Sequence, residues 1–152
     1  MISFYVPSDE YGFLCNFAPY GFSLAGQYWP TVEHYFQAQK FVATEHSERI
    51  QKARTPKEAK SLGQSRNVPL REDWEEVKVA VMRTALNAKF ATHQKLRIAL
   101  LATGNQELVE NAPSDYFWGC GKLGGGQNML GKLLMDLRQT IRDSDAKSRP
   151  NK

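Results

Sequence analysis

Glu33, Gln37 and Lys40 stand four and then three residues apart within Trp29–Phe41, WPTVEHYFQAQKF. On a helix this spacing puts all three on one face. Phe36 borders that face, while Tyr35 and Phe41 point toward a core. A carboxyl group among apolar rings at the start of a helix is where proton affinities move into a range useful for catalysis. The lysine either pairs with that carboxylate and keeps it ionised or, if desolvated, gives up its own proton and becomes a nucleophile. The same residue types also suit a solvated ion-pair stripe. Composition alone leaves both readings open.

A second group lies near the C-terminal end. Asp115 and Trp118 precede a glycine-rich run, CGKLGGGQN, that leads into a helix at Asn128. Backbone N–H groups in such a loop, with a helix N-terminus behind them, favour an anion. A plain surface loop is the alternative. The run is not a P-loop, because no GK[ST] follows in register, and it lacks the βαβ setting of a dinucleotide fingerprint. Asn16–Phe17 form a third candidate. The fourth is GQSRNVPLREDW, where Arg66 and Arg71 each offer a planar fork to a phosphate and Trp74 either stacks on a base or fills the core. His34 and His93 read as structural, and no serine or cysteine has the setting of an activated nucleophile.

The elements that must carry these residues follow from local signals. Residues 2–6, ISFYV, read as a strand, and FSL and QYW as a hairpin joined across Ala25–Gly26. Thr31 caps the first helix. HSERIQKA is a second helix. RTPKEAKSLG is a third, with Thr55 as cap, Pro56 in the first turn, Glu58 closing a capping box and Gly63 as the stop. A long helix follows Asp73, another ends at Gly104, and the last runs from Met129 to Asp143. ELVEN and YFWG read as short extended segments. The sum is a single helix-dominated α+β domain over residues 1–142, with a small sheet built from the N-terminal third. Residues 143–152 read as a disordered tail.

The whole chain narrows the class. It has 152 residues, 41% hydrophobic and 24% charged, enough for one domain with a real core. No apolar run approaches the roughly 20 residues of a membrane helix, and the N-terminus lacks the marks of a secretory signal. Cys15 and Cys120 are far apart, read as small buried residues and fit a reducing cytoplasm. No metal site is expected, since three scattered histidines give no ligand spacing. The net charge of +4 suits an anionic small molecule better than duplex DNA.

In order along the chain, FY, NF at 16–17, WPTVEHYFQAQKF, GQSR at 63–66, Trp74, VMRTALNAKF at 81–90, LVE at 108–110, DYFWG at 115–119 and GQNMLGKLLMDLR at 126–138 resemble the NADAR (YbiA-like) family. The resemblance implies hydrolysis of an N-glycosidic bond. The implied substrate is an early ribosylaminopyrimidine 5′-phosphate of riboflavin synthesis, split to ribose 5-phosphate and free pyrimidine without a cofactor. Other members are implied to remove ADP-ribose from guanine bases of nucleic acid. A binding module for ADP-ribose or NAD derivatives is the third possibility. Cleaving a ribosyl C–N bond builds positive charge on the sugar. The motif positions therefore imply Glu33, Lys40 and Asp115 as catalytic, with Glu33 the carboxylate facing the sugar and Asp115 a second carboxyl. Phe17 and Trp118 would flank base or ribose, with Asn16 hydrogen-bonding it. Arg66 and the N–H groups around Gly125–Asn128 would hold phosphate. Phe36, Trp74, Gly119 and Gly126 complete the implied binding set.

Overall fold

The computed structural model describes residues 1–148. In chain order the elements are β1 (Ile2–Phe4), β2 (Phe22–Leu24), β3 (Gln27–Trp29), α1 (Val32–Gln39), α2 (Glu45–Gln51), α3 (Pro56–Gly63), α4 (Trp74–Thr92), α5 (Gln94–Ala102), β4 (Leu108–Glu110) and α6 (Met129–Ser148). The helix-rich α+β class is the expected one. The chain clusters into two compact units, one of residues 16–92 and one of residues 1–15 with the chain from His93 onward.

In the unit of residues 16–92, β2 and β3 pair antiparallel, Phe22 opposite Trp29. Ala25 and Gly26, with φ of 50° and 80°, make the two-residue turn. Two positive φ values match the twist of a hairpin. Then α1 begins where Thr31 accepts the His34 N–H at 3.1 Å, a cap worth about 1 kcal/mol. Helix α1 packs against α2, α3 and α4. Six of its eight residues are buried, Glu33 and Gln37 among them. Trp29, Phe36, Phe41, Ile50, Met82 and Phe90 form much of the surrounding core. Helix α3 begins at the expected Thr55 cap, which accepts the Glu58 N–H at 3.1 Å. Its Gly63 is not a left-handed stop: it is the last helical residue, and a Cβ there would lie 2.0 Å from the Gln37 side-chain oxygen.

In the other unit β1 pairs parallel with β4, Ile2 opposite Leu108. The sheet is therefore not confined to the N-terminal third: a strand more than a hundred residues away completes it. β4 lies within the expected ELVEN segment, but YFWG forms a run of bends rather than an extended piece. Asn128 stands at φ 51° and bonds β4 with both ends of its amide, Nδ2 to the Leu108 carbonyl and Oδ1 from the Glu110 N–H, each 2.9 Å. Gly131 lets α6 settle there, since a Cβ would meet the Leu108 carbonyl at 2.0 Å.

Helix α6 also runs past Asp143, where the sequence suggested an end. Ile141 is buried, Asp145 pairs with Arg97 of α5, and Arg142 reaches Asn105 at 2.9 Å. These tertiary contacts carry the helix through Ser148. The rest of the expected tail lies outside the described residues. Among the described residues, no helix is long and apolar enough to cross a membrane.

Candidate active site

The face of α1 that carries Glu33, Gln37 and Lys40 is not a solvated stripe. Glu33 is 7% exposed, Gln37 4% and Lys40 9%. The cause is packing: three helices surround α1, so its polar face is inside as well. Glu33 accepts a hydrogen bond from Gln37 Nε2 at 2.7 Å. Its own backbone N–H donates to the Asn16 carbonyl at 3.2 Å, which brings Asn16 to the start of the helix. Lys40 closes the row at the C-cap of α1, where its carbonyl accepts the Arg71 N–H at 3.0 Å.

The Lys40 ammonium lies 5.8 Å from the Phe36 ring centre and 5.9 Å from that of Trp74. The two rings meet each other at 5.1 Å. Trp74 is thus a core residue, 6% exposed, and also a wall beside the amine. Burial lowers the Lys40 pKa, the positive charges of Arg66 and Lys60 lower it further, and the Glu33 carboxylate opposes them. The amine is easier to deprotonate than a free lysine because it is out of water and among cations.

Arg66 is exposed and donates Nη1 to the carbonyls of Gly63 and Ser65, both at 3.2 Å. Lys60, which the sequence reading did not single out, stands 6.0 Å from the ring centre of half-buried Phe17. A lone lysine in a helical repeat carries no signal by itself, and only the fold brings it near Lys40. Arg71, read as a phosphate fork, is committed elsewhere: it grips Asp73 at 2.6 and 3.1 Å and reaches the Gln39 carbonyl at 3.4 Å. His34 is structural, as read. Its Nε2 lies 2.9 Å from the Ala53 carbonyl, so that nitrogen carries the proton, and Nδ1 meets the Thr31 hydroxyl at 2.8 Å. A cavity of about 480 Å³ lined by Trp29, Gln39, Thr44, Glu48 and Gln51, among others, contains none of the candidate residues.

In the other unit the glycine-rich segment has a different task from the expected one. The N–H groups of residues 126 to 130 donate in turn to the carbonyls of Cys120, Tyr116, Gly119, Phe117 and Trp118, at 2.7–3.1 Å. These five amides are occupied by backbone carbonyls and so are not open to a phosphate. Asn128 is likewise spent on β4. Gly119 and Gly126 are sites of close approach: a Cβ on Gly126 would meet the Gly119 carbonyl at 2.5 Å, and one on Gly119 would meet Ala112 at 2.8 Å. Asp115 Oδ1 accepts the N–H groups of Phe117 and Trp118, at 3.0 and 2.7 Å. That bonding gives Asp115 a structural task, fixing the backbone from which half-buried Trp118 projects.

One helix face thus holds a buried carboxyl group, a buried amide and a buried amine whose pKa is lowered by burial. Residues 3–142 match the NADAR domain. The chain belongs to the NADAR family. The chain is 48% identical to N-glycosidase YbiA of Escherichia coli K12, over 93% of this chain and 88% of that protein. An NMR structure of E. coli YbiA superposes with a TM-score of 0.90 at 45% identity, covering 99% of this chain and 89% of that one. A maize protein named riboflavin biosynthesis protein PYRR, chloroplastic, is 42% identical over 93% of this chain and 25% of its own length.

Proposed function

We propose that this NADAR protein hydrolyses the ribosyl C–N bond of a ribosylaminopyrimidine 5′-phosphate, yielding ribose 5-phosphate and the free aminopyrimidine. The chain is an N-glycosidase, given its near-full-length similarity to a protein of that name, and a binding module without turnover is set aside on that ground. The riboflavin relative supports the pyrimidine substrate. The observation that carries the residue assignments is the buried Glu33–Gln37–Lys40 face, with its amine held below the ordinary lysine pKa.

The chemistry follows from charge. As the C–N bond lengthens, the sugar becomes cationic and the leaving nitrogen gains electrons. Glu33, fixed by Gln37, stabilises that cation and orients water. Lys40 as a neutral amine attacks the anomeric carbon. The pyrimidine leaves as its amine, and an imine joins Lys40 to the ring-opened ribose 5-phosphate. Water then adds to the imine carbon, and the sugar departs as its aldehyde while the lysine amine is restored. Lys60 and Arg66 supply the field for the phosphate. Phe17 offers a face to base or ribose.

The test uses two substrates in parallel, the ribosylaminopyrimidine 5′-phosphate and ADP-ribosylated single-stranded DNA, with free ribose 5-phosphate and free ADP-ribose measured. Product is expected in the first tube. Product in the second alone would move the assignment to nucleic-acid ADP-ribosyl hydrolysis. Borohydride added during turnover should trap the sugar on Lys40, and turnover with no adduct would leave that lysine an electrostatic role only.

A further inference from the structure

Two buried carboxamide oxygens in the unit of residues 16–92 have no hydrogen-bond partner among the described residues, and both belong to residues bonded to Glu33. Gln37 donates its Nε2 to the Glu33 carboxylate. An ionised carboxylate only accepts, so the Gln37 amide is fixed, nitrogen toward Glu33 and oxygen away. That oxygen is buried and without a hydrogen-bond partner. Gly63 faces it, so close that any side chain at 63 would displace the amide. Asn16, whose carbonyl takes the Glu33 N–H, points its Nδ2 at the Met82 sulfur at 3.6 Å and leaves Oδ1 buried and unpartnered. Buried oxygens without partners are rare because each forfeits its bond to water.

We propose that Gln37 Oε1 and Asn16 Oδ1 are the specificity acceptors of this site and take two hydrogen-bond donors from the substrate. This rests on the reading of Glu33 as the reacting carboxylate. A ribose supplies such donors as hydroxyls, and an aminopyrimidine supplies them as amino groups. A phosphate dianion or a ring carbonyl supplies none and is rejected. Gln37 therefore has two roles: its nitrogen holds the carboxylate, and its oxygen reads the ligand. Gly63 is a positioning residue that acts through Gln37.

Inhibition constants test this without relying on leaving-group chemistry. In one arm ribose 5-phosphate is compared with its 2-deoxy counterpart. In the other the free aminopyrimidine is compared with an analogue bearing hydrogen in place of the amino groups. Wild-type protein should bind the donor-bearing member of at least one pair about tenfold or more tightly, and the arm that responds names the donor. Gln37→Met or Asn16→Leu should reduce that discrimination toward unity. The two acceptors lie on different segments, so one variant that fails to fold leaves the other to decide. Equal binding within both pairs by wild-type protein overturns the proposal, as does discrimination that survives in both variants. Turnover lost in Glu33→Gln with discrimination unchanged in both Gln37→Met and Asn16→Leu would keep the assignment of Glu33 and discard this one.

Discussion

A glutamate that is 7% exposed and bonded by an amide at 2.7 Å is held in one place. Its charge costs solvation, and that cost persists in a fold only if the charge is used or compensated. Glu33→Gln keeps the shape and removes the charge. The expected result is a rate lower by roughly 10²–10³, the scale of one lost electrostatic contact in a transition state, with unchanged circular dichroism. Turnover near wild type would remove Glu33 from the chemistry. The residue types at 33, 37 and 40 were readable from spacing alone. Their burial was not, because a helical wheel gives relative direction and not what stands opposite. Lys60 and Gly63 were missed in the same way: one gains meaning only beside Lys40, the other only against the Gln37 amide.

At the scale of elements, local signals served well where the bonds are local. The Thr31 and Thr55 caps and the Ala25–Gly26 turn involve partners within a few residues, and each appears where expected. The turn also carries a strain that can be measured. Ala25 sits at φ 50°, a region that costs a residue with a Cβ roughly 1–2 kcal/mol. Ala25→Asn installs the Asn–Gly pair that this turn prefers and should stabilise the protein by about 1 kcal/mol, read as a higher urea midpoint. No gain would mean the hairpin does not feel its turn. The glycine-rich segment went the other way. Glycines before a helix suggested an anion cradle, but the N–H groups of residues 126–130 close on carbonyls 116–120. Composition announces that backbone comes close to something there, and only the fold says the partner is more backbone.

Whole-molecule stability carries a pH dependence through His34. Burial holds its folded pKa below the ordinary 6.5, more than the Ala53 carbonyl and Glu58 raise it. The unfolded imidazole takes a proton as pH falls through about 6.5, while the folded one resists. The unfolded state therefore binds more protons there, and stability falls with acidification below that pH. The contribution is complete above 6.5. Urea unfolding followed between pH 7.5 and 5.5 should show the decline, and His34→Gln should flatten it. An equal slope in the variant would place the dependence on other groups.

What the sequence by itself determined is the helix-rich class, the family and the short-range devices, because each rests on residue type and spacing along one segment. Tertiary structure decided the pairing of β1 with β4, the helical path of α6 beyond Asp143 and the burial of the polar face of α1. It also set the Asn128 amide against the backbone of β4. Each of these depends on groups distant in sequence competing for the same hydrogen bond or the same volume, and spacing along a chain does not record who else arrives.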